Sequence, residues 1–157
     1  MPVSVFLGIA TAILAPWAAR LTKERAKWLL GLVVLAGFGI YLAVLPEIAA
    51  GKPIRLAFPW VSSAGLDFSF YLDGLSLLMA LIVSGIGVLV IVYGGEYLKD
   101  HPLLPRFYSL ILLFMSAMLG LVFSSNALLL FLFWELTSIS SFFLIGYDHE
   151  RAVARAS

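Results

Sequence analysis

Five apolar runs dominate this 157-residue chain: Val3–Ala19, Trp28–Leu45, Leu72–Tyr93, Phe107–Phe123 and Ala127–Tyr147. A helix crosses a bilayer with about 20 predominantly apolar residues. Runs of this length predict an all-α membrane protein with about five transmembrane helices. They leave no soluble domain of any size, so residues 1–157 read as a single transmembrane helical domain. Composition points the same way. The chain is 62% hydrophobic and 12% charged, where ordinary soluble domains are about 45–50% apolar and about 25% charged.

Several function classes drop out early. A formal net charge of +1 gives no case for nucleic acid or a polyanionic substrate. The chain has no cysteine, which excludes disulfides, thiolate metal sites and iron–sulfur ligation. Its two histidines, His101 and His149, fall in expected loops. No Ser–His–Asp set, metal-ligand spacing or phosphate loop is present. The expectation is a protein without cofactor or metal, and not an enzyme in the usual sense.

Charge placement predicts orientation. Met1–Ala19 has no Lys or Arg, and positive charge follows at Arg20, Lys23, Arg25 and Lys27. A cleaved signal peptide has the reverse order, so the first run reads as an uncleaved helix. With the N-terminus outside, the inner loops hold Arg20, Lys23, Arg25, Lys27, Lys99, Arg106, Arg151 and Arg155, and the outer segments hold only Lys52 and Arg55. The positive-inside rule therefore predicts N-out and C-in.

Punctuation sets the remaining architecture. The first helix is expected to end near Pro16–Arg20 and the second to stop at Pro46. Gly8 with Ala12, Gly31, and Gly37 with Gly39 are small enough for close helix contact, although such residues are also ordinary membrane-helix composition. After Pro46 comes one extended outer segment. Leu66, Phe68, Phe70 and Leu72 alternate with Asp67, Ser69 and Tyr71, a period of two that argues for a strand. Ile54–Val61 reads as a weaker strand, demoted by Pro59, with Ser62–Gly65 as the turn. The prediction is a short β-hairpin, about 54–71, on the outer face between helices 2 and 3, clamping its neighbours. Asp73 is placed to cap the third helix as a structural residue. Gly94–Arg106 reads as a plain solvated connection. Ser124-Ser125-Asn126 is so short that helices 4 and 5 must be antiparallel neighbours, with Ser125 or Asn126 as cap.

Glu135 stands out against this background. It is the ninth residue of the fifth run, roughly 12 Å along at 1.5 Å per residue, near mid-membrane. An acid at that depth costs roughly 2.5–3.5 kcal/mol. Such residues usually face a protein or water-filled interior and mark an ion or proton path. No Lys or Arg lies between Arg106 and Arg151, so either Glu135 is neutral or its cation comes from elsewhere. Low dielectric favours the neutral carboxyl and a nearby cation favours the carboxylate. A group balanced between the two loads and releases a proton. Trp134, Thr137, Ser138 and Ser141 cluster on one flank, and Ser138, one turn away, is in reach of the acid. The hydroxyls taken singly read better as bonded to their own helix carbonyls.

The stretches Phe70-Tyr-Leu-Asp-Gly-Leu-Ser76, Leu112–Leu121, Phe133-Trp-Glu-Leu-Thr-Ser138 and Leu144-Ile-Gly-Tyr-Asp-His149 closely resemble the start of the large A subunit of Mrp-type multisubunit Na⁺/H⁺ antiporters. That protein is similar to the distal antiporter-like subunit of respiratory complex I. The resemblance covers nearly the whole chain. It implies that Glu135 is the fifth-helix glutamate that pairs with a lysine on a later helix in proton translocation, and that Asp73 opens the third helix structurally. Members of the family have about fourteen or more helices, and this chain stops just before a sixth, so it is expected to be the N-terminal fragment of a longer subunit.

The leading expectation is part of a monovalent cation (Na⁺)/proton antiporter in a bacterial cytoplasmic membrane. Glu135 and Ser138 would serve proton translocation. The partners would be the lipid bilayer, H⁺, Na⁺ and other membrane subunits, including later helices that carry the lysine. One alternative is a proton-pumping fragment of a complex I-like redox or inorganic-carbon uptake complex, which alone would make it part of a translocase. Another is a structural membrane subunit without a transport role.

Overall fold

The computed structural model describes residues 2–22, 25–61 and 66–147. Among them are five helices and one two-stranded antiparallel sheet. The order is α1 (Pro2–Thr22), α2 (Ala26–Ala49), β1 (Ile54–Val61), β2 (Leu66–Leu72), α3 (Gly74–Tyr97), α4 (Leu104–Phe123) and α5 (Ala127–Ile145). All five helices are long and apolar enough to cross a membrane. The predicted turn at Ser62–Gly65 and the C-terminal Asp148, His149, Arg151 and Arg155 lie outside the described residues.

Two prolines expected to stop helices sit inside them. Proline lacks the N–H that would bond the carbonyl four residues back, so Pro16 leaves Ala12 O without its helical donor. Ser109 of α4 supplies one, its hydroxyl donating to Ala12 O at 2.7 Å. The helix therefore runs on through Pro16 to Thr22, with the proline's cost converted into an interhelical bond. Pro46 lies one turn from the end of α2, and the stop comes later, at Gly51. That residue has φ 74°, a left-handed conformation open to glycine without Cβ strain. Gly51 N–H donates to Ile48 O at 3.0 Å and Lys52 N–H to Glu47 O at 3.2 Å, the paired bonds of a glycine-terminated helix end.

α4 is the central helix. Half of its span is buried, and it packs against α1, α3 and α5. Small residues set these approaches. A Cβ on Gly8 would overlap the Ser116 side chain, and one on Gly120 would overlap the Phe133 ring. Ala12 and Ala15 are buried on the same side of α1. A Cβ on Gly37 or Gly39 would meet none of the described residues within 4 Å, so these two glycines set no helix approach among them.

The hairpin seals one end of the bundle. β1 and β2 pair in the register Ile54↔Leu72, Leu56↔Phe70 and Phe58↔Phe68, with an irregularity between Pro59 and Val61. That break falls where a proline cannot donate to the ladder. Phe70 is 1% and Leu72 2% exposed, in a core shared with Val5, Tyr41, Leu77, Phe123 and Phe133. A second core, at the far end, joins Ala15, Ala26, Leu30, Ile91, Tyr108 and Leu112.

Candidate proton-relay site

α5 is held in register from its N-terminus. The Asn126 side chain accepts from Leu129 N–H at 2.7 Å, which caps the helix. Its amide nitrogen donates to Asp67 O at 2.6 Å and Ser69 Oγ at 2.9 Å. Ser125 N–H donates to Ser69 O at 3.0 Å. One asparagine thus joins the α4–α5 connection to β2 and fixes where α5 begins. The signal in the sequence was the Asn alone; its two strand partners lie almost sixty residues earlier.

From that start, helical periodicity decides what each side chain meets. Leu129, Phe133 and Ser140 are buried, with Leu136 and Leu144 partly so. This stripe at spacings of three and four is the face on α4. Glu135 follows Phe133 by two residues, roughly 200° around the helix at 3.6 residues per turn. It therefore points away from the bundle and is exposed, as are Phe131, Ser138 and Phe142 at one-turn spacing along the same face. The expected burial of this acid in an interior is not met within these five helices, because the interior side of α5 is the other one.

The hydroxyls beside Glu135 are engaged by their own helix. Thr137 Oγ1 and Ser138 Oγ donate to Trp134 O at 2.6 and 3.2 Å. Ser140 Oγ donates to Leu136 O at 2.7 Å. Ser138 thus gives its proton to a carbonyl and not to Glu135, while its lone pairs stay available as acceptors. Among the described residues the ion pairs are Lys27–Glu96 and Lys99–Glu96, both at the end of the bundle opposite the hairpin, so no cation among them reaches Glu135.

Asp73 is a cap in geometry. Its backbone is extended, and its carboxylate accepts from Ser76 N–H at 2.8 Å. That bond holds the carboxyl below the usual carboxylate range. Asp73 joins the hairpin to α3 and is brought nowhere near mid-span. The end of α3 and the segment after it carry specific contacts beyond those of a plain connection. Glu96 takes both lysines, and His101 Nδ1 accepts from Leu103 N–H at 3.3 Å. The Tyr147 ring lies 5.6 Å from that of His101. Nothing in the sequence announces a Lys27–Glu96 pair 69 residues apart.

Residues 60–108 match the family model described as NADH-ubiquinone oxidoreductase (complex I), chain 5 N-terminus. Over 155 residues the chain is 38% identical to the probable K⁺/H⁺ antiporter A/B subunit of Rhizobium meliloti, covering 94% of this chain and 16% of that protein. It is 40% identical over 150 residues to the Na⁺/H⁺ antiporter A1 subunit of Staphylococcus aureus, covering 95% and 19%. The chain therefore spans less than a fifth of the length of these curated relatives. In three dimensions it resembles part of the Mrp complex of Dietzia sp., with TM-score 0.77 and 30% identity, over 92% of this chain and 15% of that one. It also superposes on part of an archaeal respiratory membrane complex, the membrane-bound sulfane sulfur reductase, with TM-score 0.76 and 19% identity, over 92% and 22%; that likeness concerns the fold alone. The resemblance to the N-terminal part of Mrp-type A subunits holds along nearly the whole chain, and with its five apolar helices this is a multi-pass membrane protein.

Proposed function

We propose that this chain is the N-terminal, five-helix portion of an A-type subunit in a multisubunit monovalent cation/proton antiporter, where Glu135 takes part in proton translocation. The observation that carries the reading is an ionisable carboxyl at mid-span of α5, on a face turned away from α4 and covered by no other described helix. An acid placed there costs roughly 2.5–3.5 kcal/mol in lipid, and a docked segment bearing a cation removes that cost. On this reading the cation is a lysine on another membrane segment. Ser138 accepts a hydrogen bond from the protonated acid or from a water between them.

The named relatives in Rhizobium and Staphylococcus support a bacterial cytoplasmic membrane, with Na⁺ as the exchanged ion and K⁺ as the variant. The excess of Lys and Arg at the α1–α2 and α3–α4 ends supports an N-out, C-in orientation. The hairpin then lies on the outer face. Partners are further membrane subunits, the bilayer, H⁺ and the exchanged cation.

The test is Glu135→Ala and Glu135→Gln in the assembled complex, with Na⁺-driven proton movement followed by dye dequenching in everted vesicles. Loss of exchange in both, with assembly intact, is expected. Normal exchange in an assembled Glu135→Ala complex overturns the proposal and leaves a structural role.

A further inference from the structure

The end of the bundle opposite the hairpin holds a second polar feature, unrelated to Glu135. A recess of about 750 Å³ opens among the end of α1, the start of α2 and the α3–α4 connection. Arg20, Lys27, Lys99 and His101 line it, with Glu96 as its carboxylate. Lys27 is the inner wall. Its side chain is 17% exposed and paired with Glu96, which also accepts from Lys99 at 3.2 Å. Gly95 makes that placement possible: a Cβ there would lie 2.7 Å from Lys27 Cβ and overlap the Tyr108 hydroxyl. Among the described residues the lining thus sets the Glu96 carboxylate beside Arg20, Lys27 and Lys99, a predominantly cationic set.

The recess does not stand alone. An almost wholly apolar groove of about 590 Å³ starts at the same Lys27 and Glu96 and runs between α2 and α3 along Leu89, Val92 and Tyr93. Trp28 lies at its mouth and is 63% exposed. Tyr93 and Tyr97 stack beside it, ring centroids 6.1 Å apart. Exposed Trp and Tyr at the ends of spanning helices mark the level of the headgroups. A cationic recess at that level, continuous with an apolar groove that descends into the span, matches one chemical class. A free phosphate would use only the recess and an uncharged acyl chain only the groove.

We propose that this end of the chain binds an anionic phospholipid, with its phosphate held in the recess by Arg20, Lys27 and Lys99 and one acyl chain laid in the groove along Leu89, Val92 and Tyr93. Basic pockets between membrane helices recognise such headgroups electrostatically. The Lys27–Glu96 pair forms the shared wall and fixes where headgroup gives way to chain.

The experiment uses the chain together with the subunits it assembles with, reconstituted in phosphatidylcholine vesicles. The probe is phosphatidylglycerol with a photoreactive acyl chain, or the same modification on phosphatidylcholine. Labelling of the Leu89–Tyr93 stretch by phosphatidylglycerol, well above that by phosphatidylcholine, is expected. Each cation near the surface changes occupancy by about fivefold, so Arg20→Gln with Lys99→Gln should lower labelling roughly 25-fold while Lys27–Glu96 stays paired. Leu89→Trp fills the groove, leaves every charge in place, and should also abolish the label. Equal labelling by the two lipids, full labelling of either variant, or displacement of the lipid by inorganic phosphate alone overturns the proposal. If the double variant fails to assemble, the lipid comparison and Leu89→Trp still decide.

Discussion

The bond between Ser109 and the carbonyl freed by Pro16 offers a test of how this bundle tolerates proline in its first helix. Ser109→Ala removes the donor to Ala12 O, whose helical partner would have been the N–H of residue 16. A partly buried carbonyl without a donor costs about 1–3 kcal/mol. Interhelical hydrogen bonds in membranes average nearer 0.6 kcal/mol and reach about 2. The site is half-buried, so we expect a loss of about 1–1.5 kcal/mol.

Pro16→Ala supplies the missing N–H. In that background Ala12 O is satisfied within α1, and Ser109→Ala should cost less than about 0.5 kcal/mol. The coupling is then about 1 kcal/mol, above the few tenths by which independent sites depart from additivity. SDS-driven unfolding in mixed micelles measures all four variants, and Trp17, next to the proline and exposed, reports locally by fluorescence. An equal cost for Ser109→Ala with Pro16 in place and in the Pro16→Ala background would refute the reasoning, because the serine would then be stabilising α1–α4 packing independently of the freed carbonyl.

Further predictions rest on single placements. Asn126→Asp keeps the acceptor for Leu129 N–H but loses both donated bonds to β2, so hydrogen exchange should speed up in Asp67–Phe70 while the first turn of α5 stays protected; Asn126→Ala should expose both. Gly120→Ala drives a methyl into the Phe133 ring and should destabilise by about 1–3 kcal/mol, whereas Gly37→Ala, with open space around it, should stabilise by about 0.5–1 kcal/mol in the same SDS-unfolding assay. Asp73→Ala should cost about 1 kcal/mol. Because Ser76 N–H lowers the Asp73 carboxyl from its ordinary 3.8, that contribution is complete above this value and is lost as pH falls through the lower folded value. A stability difference between wild type and Asp73→Ala that persists unchanged in stronger acid would contradict the carboxylate cap.

Length and apolarity made the helices legible, because crossing a bilayer demands runs of a set size and the runs are there. Alternation at Leu66–Leu72 announced β2 for the same kind of reason, a period imposed by the pleat. Helix ends were read less well. Pro16 and Pro46 are strong local stop signals, but local signals yield when a distant donor repairs the damage, as Ser109 does, or when the last turn has little hydrogen bonding left to lose. The true terminator of α2, Gly51, lies beyond the apolar run and shows itself only through its backbone angle. Ion pairs such as Lys27–Glu96 and the ties from Asn126 to β2 join residues far apart in the chain, where no periodicity reaches.

The facing of Glu135 follows from where α5 is anchored and not from the acid itself. Asn126 fixes the first turn, and the fit of Phe133 against Gly120 fixes rotation. Together they turn residue 135 outward; a side chain two positions from a buried aromatic has no other direction to take. The neighbouring hydroxyls spend their protons on Trp134 and Leu136 carbonyls, so α5 builds no donor network around the carboxyl. Its charge state is thus left to whatever covers that face. Among the described residues no cation is placed to offset the carboxylate. On the proposed reading the five-helix unit therefore supplies position and a proton-bearing group, and the chemistry begins only where a second membrane segment meets Phe131, Glu135 and Ser138.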